Sequence, residues 1–267
     1  MFPAGRTERG FFAVALPAVV TGCTRVPPVL TCRPRPTMSA LLAPMLLAPV
    51  LAEASTFERR LWEASVRRFE REDASREFPE DSVLFYGSSS IRLWRTIEHD
   101  MAPRPVIQRG YGGARLSDAV DFVERVVHPH EAAAIVVFLA NDIDGRGNQP
   151  SPERVGELFD ELLTRIRVAH PDTPVLWVEV TPTPERFDLW PQVSEAAGLI
   201  RRRCDRDPNA YFVPTAEAYL IDGQPNAELF RKDGLHQNDA GYAIWKQIIQ
   251  NALEEIIGPV EFDQLST

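Results

Sequence analysis

The chain has 267 residues, which is long enough to bury a substantial hydrophobic core in one large domain or two small ones. Its content of 25% charged and 44% hydrophobic residues is ordinary for a globular protein and excludes a fibrous or wholly disordered chain. The formal net charge of -9 gives a surface that repels phosphate backbones, so we expect no nucleic acid partner. The three cysteines exclude a disulfide framework and have no spacing typical of a metal site.

The N-terminal segment 1–54 has the features of an export signal, and we expect the folded domain to occupy 55–267. In one interpretation, two arginines precede an apolar run over 11–20, which leads to Cys23 in a pattern that resembles a bacterial lipobox. The cysteine would then carry a lipid anchor after cleavage.

A second interpretation starts the chain at Met38, with an apolar run over 41–51 and an A-x-A cleavage pattern at 52–54. A disordered, proline-rich extension or a misplaced start codon is the remaining alternative. We expect export to the periplasm, to a lipid-anchored site or to the medium, and a cytoplasmic protein only if neither signal is used.

Five short apolar runs predict buried β-strands, and they lie at 83–86, 106–107, 134–139, 175–180 and 211–213. Runs that are apolar almost throughout are typical of a parallel sheet that is covered by helices on both faces.

Longer stretches between these runs have helical periodicity. A charged segment over 55–76 predicts an entry helix. Ser151 followed by Pro152 predicts a helix start, because the hydroxyl can cap and proline is tolerated at the first helical position. The last helix is expected to begin at Asn238 or Asp239. The alternation of strands and helices predicts a three-layer α/β/α sandwich with a five-stranded parallel sheet.

Polar motifs directly follow three of the predicted strands. They are the Gly-Ser-Ser-Ser motif at 87–90, the glycine-rich segment 110–113, and Asn141 with Asp142. Because functional sites of open parallel sheets gather at the carboxyl ends of the strands, we expect these motifs to meet at one edge. A fourth motif, Asp233-Gly-Leu-His236, lies near the last helix.

These motifs contain the groups that a serine hydrolase needs. A serine hydroxyl is a poor nucleophile and requires a neighbouring base, which in turn needs a group that fixes its tautomer. Ser89 lies where a strand turns into a helix expected to begin near Ser90, and His236 has Asp233 three residues before it. Taken singly, each motif is also compatible with a turn or a helix cap.

The set resembles the SGNH hydrolases, the GDSL esterase and lipase family, over roughly 82–257. The resemblance is to the subgroup in which Gly-Ser-Ser-Ser-Ile-Arg replaces Gly-Asp-Ser, similar to the platelet-activating-factor acetylhydrolase catalytic subunits. It implies a flavodoxin-like fold and a catalytic mechanism that requires no metal or organic cofactor. It also implies a nucleophile, a supporting acid and base, and two oxyanion donors, which fall on Ser89, Asp233, His236, Gly113 and Asn141.

Two positions depart from the family pattern. Leu139 stands at the glycine of Gly-x-Asn-Asp, so the loop that carries Asn141 is expected to follow a slightly different path. Ser88 replaces the acidic residue beside the nucleophile, which removes one negative charge. Neither change removes a catalytic group.

The substrate implied is an ester with a short acyl group on a carbohydrate or a small alcohol. The segment 181–190 places an aromatic side chain among polar neighbours, which suits a sugar face, although we favour a core position for Trp190. A lysophospholipid or other lipid ester is the alternative substrate. The alternative functions are acyl transfer and ligand binding by a catalytically weak protein of the same fold.

Overall fold

The computed structural model describes residues 62–260. The predicted export segment 1–54, with Cys23, therefore lies outside the described residues.

A parallel sheet of five strands forms the centre of the domain, in the order β2-β1-β3-β4-β5. The strands are β1 (Val83–Gly87), β2 (Val106–Gly110), β3 (Ala134–Phe138), β4 (Val175–Val178) and β5 (Ala210–Val213). The prediction of five parallel strands is confirmed. The observed β2 is longer than its predicted two residues, and β4 ends two residues earlier than predicted.

Alternate residues of the central strands face two separate cores. Leu84 and Tyr86 of β1 belong to one buried cluster, whereas Val83 and Phe85 belong to the other. All residues of β1 and β3 are buried. Burial on both faces is the physical reason that these strands are apolar throughout rather than alternating.

Helices cover both faces of the sheet. They are α1 over 62–73, α2 (Ser89–Leu93), α3 (Ile97–Met101), α4 (Leu116–Val126), α5 (Pro152–Ala169), α6 (Trp190–Cys204) and α7 (Asp239–Ile257). The first core contains side chains of α1, α4, α5 and α6, and the second contains side chains of α2, α3 and α7. The domain is therefore a three-layer α/β/α sandwich, as predicted. None of the helices between residues 62 and 260 combines the length and the apolar character that a membrane span requires.

The predicted helix starts agree with the observed caps. The Ser151 hydroxyl accepts the backbone N–H of Arg154 at 3.3 Å, and Pro152 is the first residue of α5. The side chain of Asn238 accepts the N–H groups of Ala240 and Gly241. Each cap satisfies amides that the first turn of a helix leaves without partners.

A small antiparallel pair, β6 (Leu220–Ile221) and β7 (Gln224–Pro225), was not expected from the sequence, nor were the short 3-10 helices at Pro184–Leu189, Ala216–Tyr219 and Ala227–Leu229. They lie between β4 and α7.

The strand order creates a switch point beside β1. The chain runs from β1 to β2 on one side and then returns to β3 on the other. Gly87 is in register with Gly110 of β2 and with Phe138 of β3, so the three segments that follow leave the sheet at one level. Ligand sites of such sheets form at this crevice.

Candidate active site

Ser89 lies at the junction of β1 and α2. A side chain at Gly87 would collide with the carbonyl oxygen of Phe138, and the N–H of Ser88 donates to that same oxygen at 3.0 Å. The turn is therefore pressed against β3. The helix begins at Ser89, one residue before the predicted start at Ser90.

The imidazole of His236 connects this serine to a carboxylate. His236 Nε2 lies 3.0 Å from Ser89 Oγ, and its Nδ1 lies 2.7 Å from Asp233 Oδ2. Ser89 and His236 are 147 positions apart in the chain. With Nδ1 protonated and donating to the carboxylate, Nε2 is left to accept a proton from the serine hydroxyl.

Local hydrogen bonds fix the loop that carries His236. Asp233 Oδ1 accepts the N–H groups of Leu235 at 3.0 Å and of His236 at 2.9 Å. Gly234, which lies between Asp233 and Leu235, has a φ of +62°, a left-handed conformation that glycine adopts without a Cβ penalty. The carboxylate therefore holds both the backbone and the ring of the histidine.

The same contacts determine the charge of Asp233. Burial acts to raise its pKa, but the hydrogen bonds from the His236 ring and from the two backbone N–H groups outweigh this effect and lower the pKa to about 2. The carboxylate is thus ionised throughout the neutral range.

Asn141 follows β3, and both ends of its amide are bound. Its Nδ2 donates to the carbonyl oxygen of Ala114 at 3.0 Å, and its Oδ1 accepts from Arg186 Nη1 at 3.2 Å. The same Nη1 donates to the Ala140 carbonyl oxygen at 3.1 Å. These contacts set the orientation of the amide and leave its second N–H available, because a primary amide has two donors.

Arg186 is the residue at this site whose role the sequence did not reveal. It was visible only as one polar residue of the segment 181–190. It lies in the 3-10 helix Pro184–Leu189, at a non-helical kink with a φ of -127°. No sequence periodicity links this kink to Asn141, which is 45 positions away.

Gly113 lies on the exposed loop after β2. Its φ is +76°, and a Cβ there would come within 3.1 Å of the Trp62 ring. Its backbone N–H donates to no other residue in the described part of the chain. The loop meets Asn141 through Ala114, although Gly113 itself is not among the residues that line the cleft.

The side chains at the two positions that depart from the family pattern are both buried. Leu139 is 1% exposed and belongs to the core that α4, α5 and α6 cover. Ser88 is also 1% exposed and lies in the wall of the cleft. The space beside the nucleophile is thus occupied by a neutral, buried hydroxyl.

Asp142 ties the loop after β3 to the start of α4. Both of its carboxylate oxygens accept the backbone N–H of Leu116, at 3.1 and 3.2 Å. Burial raises the pKa of this carboxyl to about 7, and the hydrogen bond from Leu116 lowers it only in part.

An open cleft exposes the serine and the histidine to a ligand. Its walls are the turn at Ser88–Ser90, the start of the loop after β3, the segment after β4 and the loop at 235–237. Trp190 lines this cleft and is half-buried, so the expected core position is wrong. It is the first residue of α6, and its ring stacks on Phe187 with centroids 6.5 Å apart.

The geometry around Ser89 indicates the class of protein. Serine, histidine and aspartate joined in that order at the carboxyl edge of a parallel sheet form the arrangement of a hydrolase triad. The model of the GDSL-like lipase/acylhydrolase family matches residues 81–244, and the chain belongs to this family. It is a carboxylic ester hydrolase by class.

Solved structures share the fold at low sequence identity. A candidate platelet activating factor from Streptococcus pneumonia is 15% identical with a TM-score of 0.64, covering 77% of this chain and 99% of its own. A GDSL-like lipase from Bacteroides thetaiotaomicron VPI-5482 is 20% identical with a TM-score of 0.60, covering 71% and 97%. A carbohydrate esterase of family 3 from Talaromyces cellulolyticus is 15% identical with a TM-score of 0.53, covering 68% and 100%. No curated protein matches the chain in sequence.

Proposed function

We propose that the protein is a serine esterase that hydrolyses short-chain carboxylic esters through an acyl-enzyme. The observation that carries this proposal is the hydrogen-bonded series Ser89 Oγ, His236 and Asp233, with heavy-atom distances of 3.0 and 2.7 Å. Both distances lie within the range needed for proton transfer and for orienting the base.

In the first step, Ser89 Oγ attacks the ester carbonyl carbon while His236 Nε2 takes the hydroxyl proton. The Nδ1–H group of His236 donates a hydrogen bond to Asp233, and the charge of this carboxylate stabilises the imidazolium that forms. The histidine then gives its proton to the alcohol oxygen as the carbon–oxygen bond breaks. The alcohol leaves and the acyl group stays on the serine.

The negative charge on the carbonyl oxygen needs donors that are already in place. The second N–H of Asn141 and the backbone amides of Ser89 and Gly113 are the donors that we assign to it. Water then attacks the acyl-enzyme with His236 as base, which releases the acid and restores the serine. No step requires a metal or an organic cofactor.

For the substrate we infer a short acyl group, such as acetyl, on a carbohydrate or a small alcohol. The cleft combines Trp190 with the guanidinium of Arg186, and an aromatic face beside polar donors suits a sugar ring. The carbohydrate esterase with the same fold supports this choice.

A lipid ester is the second candidate. An apolar recess shares Ile143, Val180 and Val193 with the walls of the cleft and continues between α5, α6 and the sheet. A longer acyl chain would bury apolar surface there.

The decisive experiment uses the full chain and its Ser89→Ala variant. We expect a fluorophosphonate probe to label the native protein on Ser89 and to leave the variant unlabelled. A series of p-nitrophenyl esters from acetyl to palmitoyl then separates the two substrate classes, and we expect the acetyl ester to give the highest kcat/KM. Lack of labelling together with lack of hydrolysis would refute the esterase proposal.

We also propose that residues 55–267 act outside the cytoplasm after export by the segment 1–54, either released or anchored by lipid on Cys23. Fractionation of cells that express the full chain tests this, and mass spectrometry of the N-terminus distinguishes a lipidated cysteine from cleavage after residue 54. Retention of the intact chain in the cytoplasm would contradict the proposal.

A further inference from the structure

The guanidinium of Arg186 lines the cleft beside the nucleophile and is bound to the protein on one side only. Its Nη1 donates to Asn141 Oδ1 and to the Ala140 carbonyl oxygen, and both acceptors are neutral. Among residues 62–260, no hydrogen bond or ion pair involves its Nε or Nη2. The Nε–Nη2 edge of a guanidinium is a planar pair of donors that matches the two oxygens of a carboxylate.

The neighbouring arginines differ from Arg186 because they have a carboxylate partner. Asp144 Oδ2 lies 3.2 Å from Arg115 Nη2 and 3.5 Å from Arg146 Nε. Glu185, the residue before Arg186, is exposed and forms no ion pair with it within the described part of the chain. Arg186 thus lies near two carboxylates, Asp144 and Glu185, and is hydrogen-bonded to neither.

Burial also removes part of the hydration shell from the charge of Arg186. Burial lowers the pKa of the Arg186 guanidinium, the charges of Asp144 and Glu185 raise it, and those of Arg146 and Arg115 lower it again. An arginine nonetheless remains a cation under all working conditions. A partly desolvated cation that has no hydrogen-bonded carboxylate is stabilised further by an anionic ligand in direct contact with it. The protein as a whole has a net charge of -9, so long-range attraction does not account for such binding and the local cation must.

We propose that Arg186 is a specificity-determining residue that binds a carboxylate on the alcohol portion of the substrate, which is then an acylated acidic sugar. The inference rests on the proposed esterase function and narrows its substrate class. A sugar carboxylate supplies one negative charge in a planar pair of oxygens, which is what the free edge of Arg186 can accept. The carbonyl carbon of the acyl group is at the same time the atom that Ser89 attacks.

The test compares two sugars that differ only in charge. O-acetylated glucuronosides, with each ring position acetylated in turn, are compared with the corresponding glucuronamides, and acetate release is measured with the full chain. We expect kcat/KM for the preferred acid to exceed that for its amide by about tenfold or more, mainly through KM, because the ion pair already forms in the ground state.

Two variants assign the preference to its source. Arg186→Gln lowers activity on both sugars, since Asn141 loses a partner, and brings the ratio of acid to amide close to one. The matched control Arg146→Gln removes an equal charge from the same region, and we expect it to retain the ratio. A wild-type ratio near one, or a ratio that survives in Arg186→Gln, would overturn the inference.

Hydrolysis of p-nitrophenyl acetate separates this inference from the function on which it rests. If that ester is cleaved while the acidic sugars are not preferred, the esterase proposal stands and the carboxylate site is refuted. If none of the esters is cleaved, both are refuted.

Discussion

Asn141 Nδ2 donates to the carbonyl oxygen of Ala114 at 3.0 Å, and this contact joins the loop after β3 to the loop after β2. The two loops carry the oxyanion donors that we assign to Asn141 and Gly113. We predict that Asn141→Ala lowers kcat by about a hundredfold or more, because the loss of one such donor costs about 3 kcal/mol of transition-state stabilisation. Steady-state kinetics with p-nitrophenyl acetate measure this effect.

The fold should survive that change, because Asn141 is only partly buried and its loop is also held by Asp142. A melting temperature within a few degrees of the native value is the control. Full activity in a folded variant would show that the amide does not stabilise the oxyanion.

Ser89→Ala removes the atom that forms the acyl-enzyme. We predict a loss of at least about four orders of magnitude in kcat, since the remaining groups can only assist direct attack by water. The alanine fits the existing turn, so the melting temperature should change little. Measurable turnover at the native rate would place the nucleophile elsewhere.

Asp233→Asn separates the two functions of this side chain. The asparagine Oδ1 can still accept the backbone N–H groups of Leu235 and His236, but its amide donates to the imidazole and favours the wrong tautomer. We predict that kcat falls by about four orders of magnitude while the melting temperature changes little. Single-turnover acylation with p-nitrophenyl acetate reports the chemical step directly, and native acylation would exclude Asp233 from it.

Much of the fold was predictable because burial on both faces leaves a simple pattern in β1 and β3, where every residue is buried. The prediction for β2 was too short because Gln108 and Arg109 interrupt its apolar run. Arg109 has no exposed surface and is paired with Asp73 and Glu72 at the end of α1. The partners that make such a burial possible are about 36 positions away, and a local pattern cannot show them.

The site was predictable to the extent that its motifs follow strands. The order of the strands determines which motifs meet, and this brings Ser89 and Asn141 to the same edge. The contact of Arg186 with Asn141 was not predictable, because the arginine lies on an irregular 3-10 segment without periodicity. Trp190 was misplaced because a tryptophan at the first position of a helix is compatible with both the core and a cleft wall.

Gly87 is required by a close approach. A Cβ at this position would collide with the Phe138 carbonyl oxygen, to which the N–H of Ser88 is also bound. We predict that Gly87→Ala destabilises the protein by about 3 kcal/mol and displaces the turn that carries Ser89, since both strands are buried and cannot yield easily. Chemical denaturation and kcat measured on the folded fraction report the two effects.

Gly147→Ala is the matched control for that variant. Gly147 has a φ of +79°, and no atom lies within 4 Å of the position a Cβ would take. Its substitution therefore adds only backbone strain of about 1 kcal/mol. Equal losses of stability in the two variants would show that the contact with Phe138 is unimportant.

Asp142 gives the stability of the protein a pH dependence of defined sign. Burial raises its pKa to about 7 in the folded state, whereas an unfolded aspartate titrates near 3.9. Between these values the unfolded chain loses the proton that the folded protein retains, so the contribution of Asp142 to stability is present below about pH 4 and lost as the pH rises to about 7.

Asp142→Asn does not titrate and can still accept the Leu116 N–H. We predict that the free energy of unfolding of the variant, relative to the native protein, rises by roughly 4 kcal/mol from pH 4 to pH 7 and then stays level. Urea denaturation of both proteins across this range measures the difference, and two parallel stability curves would mean that the carboxyl is not buried in its neutral form.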